Sequence, residues 1–200
     1  MEKKDLLKDV IKHIDIKSYN STELVDAMRN MSFTSRDTAR AADILMMMCK
    51  EKECTNILTL AGSTSAAGCM QVYVDMVRNK MIDVVVATGA SIIDMDLFEA
   101  LGFKHYIGEK ENVIPDTTLR DLYIDRIYDT YIDEEELQAC DHTTFEIANM
   151  LEARPYSSRE FIYEIGKWLH EGNAVKKDSL IQTCYECGVP IFVPAFSDSS

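Results

Sequence analysis

The stretch NILTLAGSTSAAG, residues 56–68, sets a short apolar run directly before a turn of glycine, serine, threonine and alanine. IDVVVATGAS, residues 82–91, repeats that order. Each turn leads into residues at helical spacing, from Ala66 to Lys80 and through IIDMDLFEALG from Ile92. Strand, small-residue turn, helix, twice over, is a repeated βα unit. Strands apolar on both faces imply a parallel sheet covered by helices. Right-handed crossovers then bring both turns to one edge of that sheet. The predicted class is α/β.

The closing stretch VPIFVPAFSDSS, residues 189–200, reads as another buried strand, 189–194, which ends in small polar residues. In an open α/β sheet, ligands bind at the carboxyl ends of the strands. Between these landmarks the pattern predicts helices near 134–152, 158–171 and 177–187, the first opened by the acidic run Asp133 to Glu136. Residues 103–120 read as a long loop or lid, and LYIDRIYDTYID as a segment of mixed character. Ahead of the βα units lies a helical arm of about residues 1–52. It comprises an amphipathic helix over 3–14, a second from a capping box at Asn20 and Glu23, and a third opened by Thr34 and Asp37. Met46, Met47, Met48 and Cys49 resemble a soft-metal cluster, but consecutive helical residues point in different directions, so core packing is the favoured reading.

Two hundred residues suit one domain, and 46% hydrophobic with 28% charged residues is ordinary for a globular chain. The net charge of -13 argues against a nucleic-acid surface, which needs a basic patch. It is compatible with a cationic ligand, although many proteins are acidic for solubility alone. No apolar run approaches the roughly 18 residues of a membrane helix, and the N-terminus has no signal-peptide core. Six scattered cysteines read as reduced thiols in a cytoplasmic protein.

The two turns carry the strongest local signal: Gly62 to Gly68, which includes Ser63, Thr64 and Ser65, and Thr88-Gly89-Ala90-Ser91. Small residues let a ligand approach the backbone, and helix-start N–H groups favour phosphates. A tight βα turn with a hydroxyl N-cap needs the same residues, and neither turn has the full GxGxxG fingerprint or a Walker lysine. Asp94 and Asp96 could hold a ribose hydroxyl or an amine, or simply offset the helix dipole. Asp198 would add a third carboxylate if the last strand lies beside the other two. Cys184 and Cys187 form a CxxC near a helix C-terminus with no second pair, which favours a structural role. Of the four histidines, His105 alone falls where it could reach the crevice. No metal site is expected.

Five stretches, in order, resemble the deoxyhypusine synthase family: LTLAGSTSAAG, NKMIDVVVATGASIIDMDLFEALG, LRDLYIDRIYDTYID, YSSREFIYEIGKWL and GVPIFVPAFSDSS. The resemblance implies a Rossmann-like NAD-binding domain and a homotetramer. It implies an enzyme that takes a hydride from spermidine, releases 1,3-diaminopropane and passes the aminobutyl group to an acceptor amine, either a protein lysine or a free diamine such as putrescine. By position, Thr64 and Ser65 match the first NAD turn, with the adjacent Ser63 a further cofactor-binding candidate; Thr88, Gly89 and Ala90 match the second, and Asp198 the aspartate of a DGS motif. Asp94 and Asp96 both fit the acidic positions near ribose and substrate, because the alignment needs a one-residue insertion there. The first turn is shorter than the family's and lacks its asparagine, and Ser199 replaces the DGS glycine. The family's imine-forming lysine lies downstream of Ser200, so no catalytic residue is named and the catalytic segment is expected to be missing. A non-catalytic NAD-binding paralogue that assembles with a complete subunit is the competing reading.

Overall fold

The computed structural model describes residues 1–109 and 114–196. Two three-stranded sheets organise it. In the first, β1 (Ile57–Leu60) pairs in parallel with β2 (Val84–Ala87), which pairs in parallel with β6 (Ile191–Phe192). The register sets Leu60 opposite Ala87 and Val86 opposite Phe192, so all three carboxyl ends share one edge. The last strand therefore does lie beside the second, although it is shorter than the expected 189–194.

Helices cover this sheet. β1 leads through a wide turn over Ser65–Cys69 into α4 (Met70–Arg78). β2 leads into a π-helical segment, Ser91–Leu97, that continues as α5 (Phe98–Ala100). The helices α7 (Glu134–Met150), α8 (Ser158–Trp168) and α9 (Leu180–Cys187) follow at the expected places. Val74, Val85, Ile92, Leu97, Phe98, Ile165 and Leu180 form the centre of the main core, each below 1% exposed.

The region read as a loop and a mixed segment is the second sheet. Here β3 (His105–Ile107) and β4 (Ile124–Ile127) flank β5 (Thr130–Asp133), all antiparallel, with α6 (Asp116–Asp121) between β3 and β4. The β4–β5 hairpin turns through two residues, and Tyr128 takes φ 54° where glycine or asparagine is usual. Without that composition signal the hairpin escapes a sequence reading.

The N-terminal arm departs furthest from expectation. α1 is one turn, Lys3–Leu6, and the chain beyond it is extended. Val10 bridges to Tyr106, Ile11 N–H donates to the His105 carbonyl at 2.9 Å, and Ile107 N–H donates to the Asp9 carbonyl at 2.7 Å. A lone amphipathic helix of this length is marginal in water, and the open edge of β3 offers its backbone better partners. α2 (Thr22–Met28) and α3 (Thr34–Lys50) form a helical hairpin. Asn20 accepts from Thr22 N–H at 3.0 Å, but the expected capping box with Glu23 does not form. In α3 only Ala39 is buried, and Met46 and Met47 are 56% and 60% exposed, so the core-packing expectation for the methionine run is overturned. Among the described residues no cluster of three or more His, Cys, Asp or Glu could hold a metal, and no helix is long and apolar enough to cross a membrane.

Candidate functional site

Both small-residue turns lie side by side at the carboxyl edge of the parallel sheet, and one hydroxyl ties them together. Ser91 Oγ donates to the Gly62 carbonyl at 3.1 Å and lies 3.0 Å from Thr88 Oγ1. Thr88 N–H donates to the Leu60 carbonyl at 3.1 Å, continuing the β1–β2 pairing into the turns. Tyr73 of α4 donates to Thr64 Oγ1 at 2.8 Å. Gly62, Thr64 and Thr88 are exposed, Ser63 and Ala90 half-buried and Gly89 buried. The backbone at Gly62 takes φ 70° with open space where a side chain would stand. Such a ledge admits a ligand close to the main chain, and the opening N–H groups of the following helices lack intrahelical acceptors. Ser65 differs from its neighbours: it is 3% exposed, and its hydroxyl turns inward to Met95 Sδ at 3.1 Å.

The two aspartates after β2 part company. Asp96 is 1% exposed, and its oxygens accept from Leu180 N–H at 2.8 Å and Ile181 N–H at 2.7 Å. It caps α9 from another element, while Ser179 accepts from Gln182 N–H in the same first turn. Burial pushes the Asp96 carboxyl up to about 6, against the pull of the two backbone N–H groups. With both oxygens committed, Asp96 is a structural group, which corrects its place among the cofactor-binding candidates. Residues two apart on a helix face opposite sides. Asp94 is accordingly half-buried towards α7, where it and Asp141 add negative charge near Cys140. Burial first, then those charges, push the Cys140 thiol up to about 12. Asp198 lies outside the described residues.

His105 is not at the crevice. It is a buried residue of β3, its ring tilted 50° to that of Phe98 at 5.1 Å between centroids and its Nδ1 2.9 Å from Glu99 Oε1. Glu99 also takes His13 Nε2 at 2.6 Å and the Lys176 ammonium. Burial pushes the Glu99 carboxyl up, but the bonds from His105 and His13 and the charge of Lys176 outweigh it and hold the group well below the usual carboxylate range. Sequence reasoning missed this cluster because His13 and Lys176 lie far along the chain from Glu99 and His105, and the four share no spacing pattern. Within the CxxC, Cys184 is buried in the core and burial raises its thiol far above the ordinary range, while Cys187 is exposed.

A cavity of about 270 Å³ lies elsewhere, between α8, α9 and the start of β6, walled by Tyr163, Tyr185 and Pro190. It opens at the amino end of β6, and none of the expected site residues lines it.

A sequence model of the deoxyhypusine synthase family matches residues 23–200. The chain belongs to the deoxyhypusine synthase family. It is 67% identical over 199 residues to a deoxyhypusine synthase-like protein of Caulobacter vibrioides, covering 100% of this chain and 54% of that one. A deoxyhypusine synthase-like protein of Coxiella burnetii is 60% identical over 198 residues, covering 99% of this chain and 56% of the relative. The chain thus spans about half the length of the curated relatives it matches. A crystal structure from Entamoeba histolytica, described under the same family name, superposes with a TM-score of 0.59 over 94% of this chain and 63% of its own, at 20% identity. At that identity the superposition supports the α/β fold and nothing finer.

Proposed function

We propose that this family member takes part in NAD-dependent transfer of an aminobutyl group from spermidine or a related polyamine to an acceptor amine. The acceptor is a protein lysine or a free diamine such as putrescine. The observation that carries the reading is the pair of turns bound together by Ser91 at the carboxyl edge of a parallel sheet, where open α/β folds bind ligands. NAD supplies a hydride acceptor. The residues present fit such a group: the open backbone at Gly62 and the exposed turn around Thr88 leave room for phosphates against helix-start N–H groups. Ser63, Thr64, Thr88, Gly89 and Ala90 would hold it, with Asp94 the carboxylate for a ribose hydroxyl or an amine and Asp198 a further candidate. Ser65 would contribute through its backbone only, because its hydroxyl is engaged with Met95.

This chain's part is to bind and orient the cofactor. The resemblance puts the lysine that captures the aminobutyl group in the length of the relatives that this chain does not span. A homotetramer fits the exposed apolar side chains of the α2–α3 hairpin, among them Leu24 at 62% and Phe33 at 90% exposure. The reduced-thiol reading places the protein in the cytoplasm.

Release of 1,3-diaminopropane from spermidine, dependent on NAD, tests the reaction, with putrescine and a lysine-bearing protein as alternative acceptors. No release with any acceptor sinks the enzyme reading. NAD binding without release favours the non-catalytic paralogue. Thr88→Trp should abolish NAD binding by filling the second turn, and unchanged affinity measured by calorimetry would move the cofactor elsewhere.

A further inference from the structure

The extended segment after α1 crosses from the second sheet to the first turn. Its backbone pairs with β3 through Asp9 and Ile11, then with the turn, where Ile14 N–H donates to the Gly68 carbonyl at 3.0 Å. Gly68 takes φ 93°, and a Cβ there would stand 2.9 Å from the Lys12 carbonyl oxygen. The kink at Gly68 breaks the helical path, so Met70 N–H, at the start of α4, has no acceptor of its own element. It donates instead to His13 Nδ1 at 3.2 Å. The other ring nitrogen, His13 Nε2, faces Glu99 Oε2 at 2.6 Å.

These contacts fix the tautomer. An N–H directed at Nδ1 requires a lone pair there, so Nε2 carries the proton and donates to Glu99, and the ring is neutral. We infer that neutral His13 is a positioning residue for the first turn: it caps α4 from the N-terminal segment and so holds residues 62–69 in the shape that accepts the cofactor. The inference rests on the NAD reading. A proton on Nδ1 sets two N–H groups against each other and releases Met70. The groups facing His13 are Glu99 of α5, Lys176 from the segment before α9, and His105 of β3 across Glu99.

Conservative variants separate the two nitrogens. Asparagine can place an oxygen near the Nδ1 position, and glutamine an amide N–H near Nε2. NAD affinity, read by calorimetry on the full chain, should fall about tenfold in His13→Ala, the equivalent of one hydrogen bond. It should return to within about threefold of wild type in His13→Asn and not in His13→Gln. Amide exchange at Met70 and across 62–69 should quicken in His13→Ala even without NAD, a readout that global unfolding, followed by melting temperature, does not mimic. If Thr88→Trp abolishes NAD binding while all three His13 variants bind and exchange as wild type does, the positioning role is overturned and the NAD reading stands. A wild-type protein that binds no NAD overturns both.

Discussion

Asp94 and Asp96 show how two residues of one type, two positions apart, receive opposite tasks from their surroundings. Asp96 is fully committed to α9, and truncation leaves two buried N–H groups without acceptors. Asp96→Ala should cost about 2–4 kcal/mol in chemical denaturation. Asp94→Ala should weaken NAD binding measured by calorimetry; unchanged affinity would remove Asp94 from the proposed site. The pH response of Asp96 follows from its raised pKa. An unfolded aspartate titrates near about 3.9, so between about pH 4 and about pH 6 the folded state holds the proton more tightly. The contribution of this group to stability therefore falls as pH rises through that window, by about 3 kcal/mol. Glu99, held low, has the opposite sign: its contribution is present above the unfolded carboxylate range and is lost only in strong acid. Asp96→Asn should flatten the stability profile between about pH 4 and about pH 6. A variant slope equal to that of wild type would contradict the assignment.

Among the elements, two helices of the parallel-sheet layer start on groups that come from elsewhere in the chain. Asp96 caps α9 and His13 caps α4. Other caps are local: Asp133 accepts from Glu135 and Glu136 N–H, and Ser157 and Glu160 form a capping box. Caps supplied across the fold leave no spacing to read. The N-terminal segment makes the same point, because its apolar periodicity suits a helix while the edge of β3 claims the backbone. Gly68 joins that segment to the first turn. Gly68→Ala must open the Lys12 contact and strain a left-handed backbone. A loss of about 1–3 kcal/mol and faster amide exchange at Ile14 are expected; a variant with wild-type stability and exchange would show that the close approach is slack.

For the whole molecule, the two sheets share one interior. Ile132 of β5 and Cys140 of α7 belong to the same apolar core as Val85 and Ile191 of the parallel sheet. Heating should therefore unfold the chain in a single transition followed equally by tryptophan fluorescence and far-ultraviolet dichroism. Two separated transitions would mean that the sheets fold independently. The acidic balance acts at this scale too: binding of a polyamine should weaken as salt is raised, through screening of the -13 net charge.

Much of this was legible in the chain itself. Apolar runs, small-residue turns and helical periodicity are local consequences of backbone sterics and side-chain burial, and they sufficed for the βα units, the edge shared by the two turns and α7 to α9. The antiparallel sheet was hidden because Tyr128 turns its hairpin where no glycine or asparagine marks it. The methionine run misled because an apolar face says that something should cover it, and not that this chain's own core does. That Asp96 is spent on capping α9, that His105 is structural, and that His13, Glu99, His105 and Lys176 meet were settled only by tertiary structure. Those outcomes depend on which distant backbone groups are left unpaired once the layers pack, a quantity that no window of sequence contains.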